Sequence, residues 1–307
     1  MNDPSADGSA PGSGYYGRPV LHRPVWKREI PWYLFTGGLA GASSLLAAGG
    51  RWTGRAALAR SSRRVALGAI VVSPVLLIAD LGRPRRFASM LRVVRPTSPM
   101  NMGAWLLSAY GPTAGAAAAL DTFGTVPALG AAADGVAATL GSLLTAYTAV
   151  LLADTAVPVW HEAGRDLPCV FAASAATSAG AAATLLVAPP ESGPAERLAL
   201  AGLVAEQMAL RRMERRLGPL AAPYREGSAG RYARAARWLG WAGGLMLAGS
   251  GQAGRGRFRP SRRGTLAGAA LLLASAVTTR FAVFKAGFQS ADDPEATLAA
   301  QRARMAV

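Results

Sequence analysis

Residues 79–105 read ADLGRPRRFASMLRVVRPTSPMNMGAW, and this stretch decides how the rest of the chain is interpreted. It follows one apolar segment and leads into another. A connection between two membrane helices does not need so much fixed chemistry, so the stretch predicts a surface where a partner docks or protons move. Its arginines are Arg83, Arg85, Arg86, Arg92 and Arg95.

The rest of the chain alternates between apolar blocks and short polar connections. Hydrophobic residues make up 51% of the 307 residues, and charged residues make up only 16%. A membrane-spanning helix needs roughly 20 mainly apolar residues. The pattern predicts an all-α integral membrane protein, a bundle of about eight transmembrane helices. The candidate spans are residues 31–50, 64–80, 101–120, 134–157, 167–188, 195–211, 237–251 and 264–284.

The two ends of the chain differ from its apolar middle. Residues 1–25 are rich in Gly, Ser, Pro and Asp and lack the basic and apolar regions of a signal peptide. This composition predicts a disordered polar tail. We therefore expect a multi-pass transmembrane domain over residues 26–288 and a C-terminal tail over residues 289–307.

The formal charge of +16 comes from basic clusters that lie between apolar runs. A nucleic-acid-binding protein would instead show a basic stripe with aromatic residues, so we exclude nucleic acid as a partner. With eight spans, about two thirds of the 33 Lys and Arg residues fall on the side that holds both termini. The positive-inside rule then predicts a cell-membrane protein with both termini in the cytoplasm. The clusters at 51–64 and 255–263 oppose this orientation.

Cysteine and histidine are scarce, which limits the redox centres that the chain itself could hold. Cys169 is the single cysteine, whereas an iron–sulfur cluster needs about four thiolates. His22 precedes the first span and His161 follows the fourth, so they do not form a pair for haem. We expect no haem and no iron–sulfur cluster in this chain, and no metal site.

Polar residues at the ends of the spans are the candidates for chemistry. Tyr147 and Asp154 are seven residues apart in the fourth span, which predicts a shared helix face, and His161 follows closely. A phenol, a carboxylate and an imidazole on one side of a bundle could bind a quinone and move its protons. The alternative is that Tyr147 is an interfacial aromatic residue and His161 a loop residue.

Two further carboxylates, Glu29 before the first span and Asp80 at the end of the second, lie on the same predicted side as Asp154 and His161. Such a group would suit a redox pocket beside a docked subunit. Solvated helix ends would give the same pattern, and Asp80 could simply pair with neighbouring arginines.

Two charged residues stand inside or near later spans. A charge at bilayer depth costs about 2.5–3.5 kcal/mol on insertion scales, so it usually faces a partner or a cavity. Glu206 is either a proton relay or the partner of Arg211 or Arg212. Arg280 is expected to reach the headgroups from near the end of the last helix, as is Lys285.

Four stretches of the chain resemble the NrfD/PsrC family of polysulfide-reductase-type membrane subunits. The most specific is the segment DLGRPRRFASMLRVVRPTSPMNMGAW, residues 80–105. The other three are IPWYLFTGGLAGAS at 30–43, YTAVLLADTAVPVWHEA at 147–163 and RFAVFKAGFQSADDP at 280–294.

The resemblance implies a quinone-reactive membrane anchor in a respiratory oxidoreductase complex, not a complete enzyme by itself. The implied partners are a four-cluster ferredoxin-like iron–sulfur subunit and a molybdopterin catalytic subunit of polysulfide reductase or formate dehydrogenase type. The implied exchangeable cofactor is menaquinone or ubiquinone. Tyr147 matches the family's quinone-contacting tyrosine, whereas Glu29 and Tyr33 stand where the family has an Asn and a His.

Together the residues and the resemblance predict a set of functional side chains. Tyr147, Asp154 and His161 are predicted to handle the quinone and its protons, and the quinone contacts are predicted to be Glu29, Tyr33, Asp80, Arg83 and Tyr147. The alternative function is a secondary transporter or a proton-conducting membrane protein that uses the same carboxylates, although no inverted repeat is visible in the sequence.

Overall fold

The computed structural model describes residues 24–293 apart from 83, 125, 190 and 251–260. This part of the chain is all-helical. The helices are α1 (Glu29–Trp52), α2 (Ala56–Leu81), α3 (Pro84–Met90), α4 (Pro99–Phe123), α5 (Pro127–Ala153), α6 (Pro158–Glu162), α7 (Leu167–Leu186), α8 (Gly193–Leu217), α9 (Gly227–Ser250) and α10 (Arg262–Ala291), with a 3-10 helix at Gly218–Tyr224.

Eight of the described helices have 20 residues or more, and each contains most of one predicted span. Four of them, α2, α5, α7 and α10, are long and apolar enough to cross a membrane by length and composition alone. The all-α membrane fold is therefore confirmed. The predicted N-terminal tail, its last two residues excepted, and residues 294–307 of the C-terminal tail lie outside the described residues.

The helix boundaries follow from local sequence. Pro99 and Pro127 occupy the first turns of α4 and α5, where a missing N–H costs nothing. Gly82 and Gly124 end α2 and α4 with φ values of 71° and 63°, a left-handed conformation that glycine adopts without strain. The arginine-rich segment 212–236 is mostly helical, because α8 continues to Leu217 and α9 already begins at Gly227.

Helices α1 and α7 lie at the centre of the bundle. Helix α1 packs against α2, α5, α7 and α10, and α7 packs against α8 and α10 as well as α1 and α5. Glycines permit the closest approaches: a Cβ on Gly141 of α5 would lie 2.8 Å from the carbonyl oxygen of Gly41 in α1. Small residues thus bring helix backbones together where lipid offers no hydrophobic driving force.

Consecutive long helices run in alternating directions, which gives the bundle two distinct ends. The Asp80 end holds the start of α1, the end of α2, α3, α6 and the end of α10. The Asp134 end holds the opposite termini, including the end of α1 and the start of α2. The prediction that Glu29, Asp80, Asp154 and His161 lie on one side is confirmed, because all four lie at the Asp80 end.

Candidate functional site

The segment 82–98 forms an ordered surface at the Asp80 end, organised by one buried side chain. The Asn101 amide nitrogen donates to the carbonyl oxygens of Met90 and Val93, at 2.5 and 2.9 Å. Its amide oxygen accepts from the backbone N–H of Arg95 at 2.7 Å. Asn101 is only 7% exposed. Because one side chain satisfies three backbone groups, the part of the connection between α3 and α4 has a fixed shape although it is not helical.

The same surface presents arginines and apolar side chains to the outside. Val93 and Val94 are 50% and 60% exposed. Four of the five predicted docking arginines are exposed, and Arg83 lies outside the described residues. The exposed ones are Arg85, Arg86, Arg92 and Arg95. Apolar side chains among cations form a surface suited to a partner with an acidic rim.

A group of two carboxylates and two phenols lies at the same end of the bundle as this surface, and one of the phenols is buried while the other three groups are half-buried. The Asp80 Oδ1 atom accepts a hydrogen bond of 2.8 Å from the backbone N–H of Lys27, and Glu29 is close enough to interact electrostatically with Asp80. Tyr33 follows Glu29 by one helical turn on α1, and its phenol lies near that of Tyr147 of α5. We call Glu29, Tyr33, Asp80 and Tyr147 the Asp80–Tyr147 cluster.

The members of this cluster differ in whether their polar atoms have a hydrogen-bond partner. The Tyr147 hydroxyl donates to the carbonyl oxygen of Pro99 and packs against Gly103, which leaves no room for a Cβ. By contrast, Glu29 Oε2 is a buried atom without a hydrogen-bond partner among the described residues. A buried acceptor without a partner is costly, and such atoms mark places where a ligand or water binds.

Asp154 and His161 do not join this cluster through any hydrogen bond or ion pair that the described residues make. Asp154 is the exposed C-cap of α5, one residue beyond its end at Ala153, whereas Tyr147 lies inside the helix and is half-buried. His161 is exposed and lines a separate open cavity of about 570 Å³ with Arg165 and Arg216.

An aromatic group at the Asp80 end joins the segments that come from the two ends of the chain. Trp160 is fully buried, stacks on Trp26 with ring centroids 5.6 Å apart, and donates from Nε1 to the Val283 carbonyl at 2.8 Å. An open cavity of about 310 Å³ lies beside it, lined by Trp26, Lys27 and Phe288 among others. This cavity was not predicted. It approaches Asp80, since Lys27 contributes to both.

A second buried polar group lies between α7, α8 and α10. Glu206 and Arg280 are 0% and 1% exposed, and the hydroxyls of Ser174 and Thr279 also face Glu206. Arg280 donates to the Phe171 carbonyl oxygen at 3.0 Å. The two carboxylate oxygens of Glu206 have no partner with hydrogen-bond geometry in the described part of the chain.

This arrangement corrects two predictions. The neighbouring cation of Glu206 is Arg280 of α10, whereas Arg212 pairs with Asp166 at 3.2 Å. Arg280 does not extend to the headgroups, because α10 continues to Ala291 and places Arg280 about three turns inside the helix.

The Asp134 end carries an ion network that sequence reasoning did not predict. Arg63 donates to both carboxylate oxygens of Asp134 at 2.7 Å and pairs with Asp121 at 2.7 Å. Arg51 also reaches Asp134, at 2.5 Å. Both Arg63 and Asp134 are at most 5% exposed. The sequence carries one signal for this network. Asp134 stands at the start of an apolar span, and a cluster of arginines lies at residues 51–64.

Fold and site together define a multi-pass all-α membrane protein with a polar group inside one end and a basic surface above it. The family model for the polysulphide reductase NrfD matches residues 20–190, more than half of the chain. The chain therefore belongs to the NrfD family, as the sequence resemblance implied. No curated protein matches it. The family generally supplies the membrane partner of iron–sulfur and molybdoenzyme subunits, so the chain is a membrane subunit of that kind.

Proposed function

We propose that the chain is the quinone-reactive subunit of a respiratory oxidoreductase complex. It would pass electrons between an iron–sulfur partner subunit and the menaquinone or ubiquinone pool. The observation that carries this proposal is the Asp80–Tyr147 cluster, which places two carboxylates and two phenols directly beneath an exposed arginine surface. The cytoplasmic orientation of the termini and the identities of both partner subunits belong to the same proposal.

The residues of the cluster fit a quinone headgroup. A quinone presents two carbonyl oxygens that accept hydrogen bonds, and a quinol presents two hydroxyls that donate them. Tyr147 would be the donor for the first state by turning its single O–H from the Pro99 carbonyl, to which it donates in this structure, to the quinone. Glu29 Oε2 is an acceptor for the second state, because it is buried without a protein partner among the described residues.

Quinone chemistry also requires protons, two for every two electrons. Glu29 and Asp80 are the groups that would hold protons in the cluster, and the open cavity beside Lys27 supplies a route from water. Asp154 and His161 lie at the same end but outside the cluster. We propose them as later members of the proton route rather than as quinone contacts.

The test of the quinone site is Tyr147→Phe in the complex purified from membranes. We expect quinol turnover to fall about tenfold, because a hydrogen bond of ~1–1.5 kcal/mol is lost while the ring still packs on Gly103. The matched control is Tyr110→Phe. Tyr110 bonds to Ala40 and Ser44, and it lies eleven residues beyond Pro99 on α4, about 16 Å along the axis. Full turnover in Tyr147→Phe would remove this residue from the site.

The test of docking reverses charge on the surface formed by segment 82–98. We expect the double variant Arg92→Glu, Arg95→Glu to lose co-purification of the iron–sulfur and molybdopterin subunits. Arg64→Glu is the control, since Arg64 is equally exposed but lies at the Asp134 end. Unchanged recovery of the partners with the double variant would place the docking surface elsewhere.

A secondary transporter or proton-conducting protein is the second candidate function. The observation that favours it is the buried Glu206 beside Arg280, a charged pair inside the bundle that the quinone proposal does not use. Purification of the native protein discriminates the two. Co-purified redox subunits support the quinone proposal, whereas an isolated chain that dissipates a proton gradient in vesicles supports transport.

A further inference from the structure

A basic cavity at the Asp134 end lies apart from the site described above. It is open and has a volume of about 180 Å³, several times the ~30 Å³ of a water molecule. Four arginines line it, and only one carboxylate does, that of Asp121. The lining arginines are Arg51, Arg55, Arg60 and Arg63.

The four arginines differ in how far the protein already satisfies them. Arg63 is fully used, because its Nε, Nη1 and Nη2 atoms all contact Asp121 or Asp134 at 2.7 Å. Arg60 is 56% exposed and reaches Asp121 only at 3.6 Å. Arg55 makes no side-chain hydrogen bond or ion pair with the described residues. Arg63 is therefore fixed by its ion pairs at one side of the cavity. Arg55 and Arg60 keep N–H groups that can donate to a ligand.

The cavity borders the start of α2, which is one of the four helices apolar enough to cross a membrane. Trp52 and Phe123, on the adjoining helix ends, are 77% and 75% exposed. An exposed tryptophan at the end of a span is typical of the membrane–water interface. The end of a span is also where lipid headgroups are expected, so the position of the cavity suits contact with their phosphates.

We propose that this cavity binds the phosphate of an anionic phospholipid, with Arg55 and Arg60 as its ligands. Arginine is the side chain best suited to this role, since its planar fork bonds two phosphate oxygens at once. Basic pockets between transmembrane helices bind anionic headgroups in the same way. The buried Arg63–Asp134 pair holds α2 and α5 in register and so fixes the cavity. This inference is independent of the quinone proposal.

The test compares the full chain, with the subunits that accompany it, in vesicles of phosphatidylcholine with and without phosphatidylglycerol. We expect phosphatidylglycerol to raise the melting temperature and to remain bound in native mass spectra. In the double variant Arg55→Gln, Arg60→Gln the melting shift should vanish and lipid retention should fall at least tenfold. The control Arg211→Gln, Arg215→Gln removes the same charge from exposed side chains at the other end of the bundle, outside the docking surface, and should behave as the wild type.

Two results would overturn the proposal. One is retention of phosphatidylglycerol by the Arg55, Arg60 double variant at the wild-type level. The other is an equal melting shift from inorganic phosphate added to phosphatidylcholine vesicles, which would assign the cavity to a soluble anion. The single variants Arg55→Gln and Arg60→Gln should each show part of the loss. Both side chains lie on the surface, so the variants keep the fold.

Discussion

The contact between Gly41 of α1 and Gly141 of α5 gives the sharpest prediction about how this bundle is held together. The perturbation is Gly141→Ala. The new Cβ would lie 2.8 Å from the carbonyl oxygen of Gly41 and 3.0 Å from its Cα, whereas ordinary contacts begin at 3.4 Å. The distance from the new Cβ to the Gly41 carbonyl oxygen is therefore too short by roughly 0.6 Å. The neighbouring atoms belong to the backbone, and they cannot rotate away as a side chain would.

The expected magnitude has two parts. Replacing glycine by alanine in a helix interior gains about 0.8–1.0 kcal/mol from backbone propensity. Overpacking costs about 1–3 kcal/mol, and a backbone neighbour puts this site at the upper end. Gly135→Ala on the same helix is the control, because a Cβ there meets nothing within 4 Å. It keeps the propensity gain without the overlap. The difference between the two variants thus isolates the helix contact.

The assay is thermal or denaturant unfolding of both variants in the same detergent. We expect Gly141→Ala to be less stable than Gly135→Ala by about 2–3 kcal/mol, with a melting temperature several degrees lower. Because α1 carries Tyr33 and α5 carries Tyr147, quinol turnover should fall only in the Gly141 variant. Equal stability of the two variants would refute the close approach of α1 and α5.

Three further predictions follow from buried polar contacts. Asp134→Asn should destabilise the protein by about 3 kcal/mol in denaturant unfolding, since it leaves the buried Arg63 with Asp121 as its remaining carboxylate partner. Asn101→Ala removes three hydrogen bonds of about 1 kcal/mol each, and limited proteolysis should then cut the segment 82–98 faster while the bundle stays intact. Arg280→Met should cost about 3–5 kcal/mol, and the double variant with Glu206→Gln should recover part of it; additive losses would show that the two do not interact.

The helices themselves could be predicted because their signals are local. Blocks of about 20 apolar residues indicate both α4 and α5, and each helix has a proline in its first turn. Only α4 also has a glycine, Gly124, just past its end. The convergence of Glu29 and Asp80 at one end followed from counting spans. The four-residue spacing of small residues is a weaker signal. The pairs Gly264/Gly268 and Gly111/Gly115 have the same spacing, but Gly268 packs tightly on Gly243, whereas a Cβ on Gly115 would meet nothing within 4 Å. Spacing identifies a helix face but not the presence of a neighbour.

The contacts between distant helices could not be predicted. Glu206 and Arg280 are 74 residues apart, and no periodicity within α8 or α10 indicates that these helices bring them together. Helix ends caused the other errors. The prediction that Arg280 reaches the headgroups failed because α10 runs to Ala291. The fourth span was predicted to reach residue 157, but α5 stops at Ala153, which leaves Asp154 at the exposed helix end. An apolar pattern fixes the middle of a span better than its last turn.

The two ends of the bundle use their arginines differently. At the Asp134 end, Arg51 and Arg63 are paired with Asp134 in a network inside the protein. At the Asp80 end, Arg92 and Arg95 have no acidic partner among the described residues and point outward. Unpaired cations of this kind are available to an acidic partner, which is the reason we propose the segment 79–105 as the docking surface.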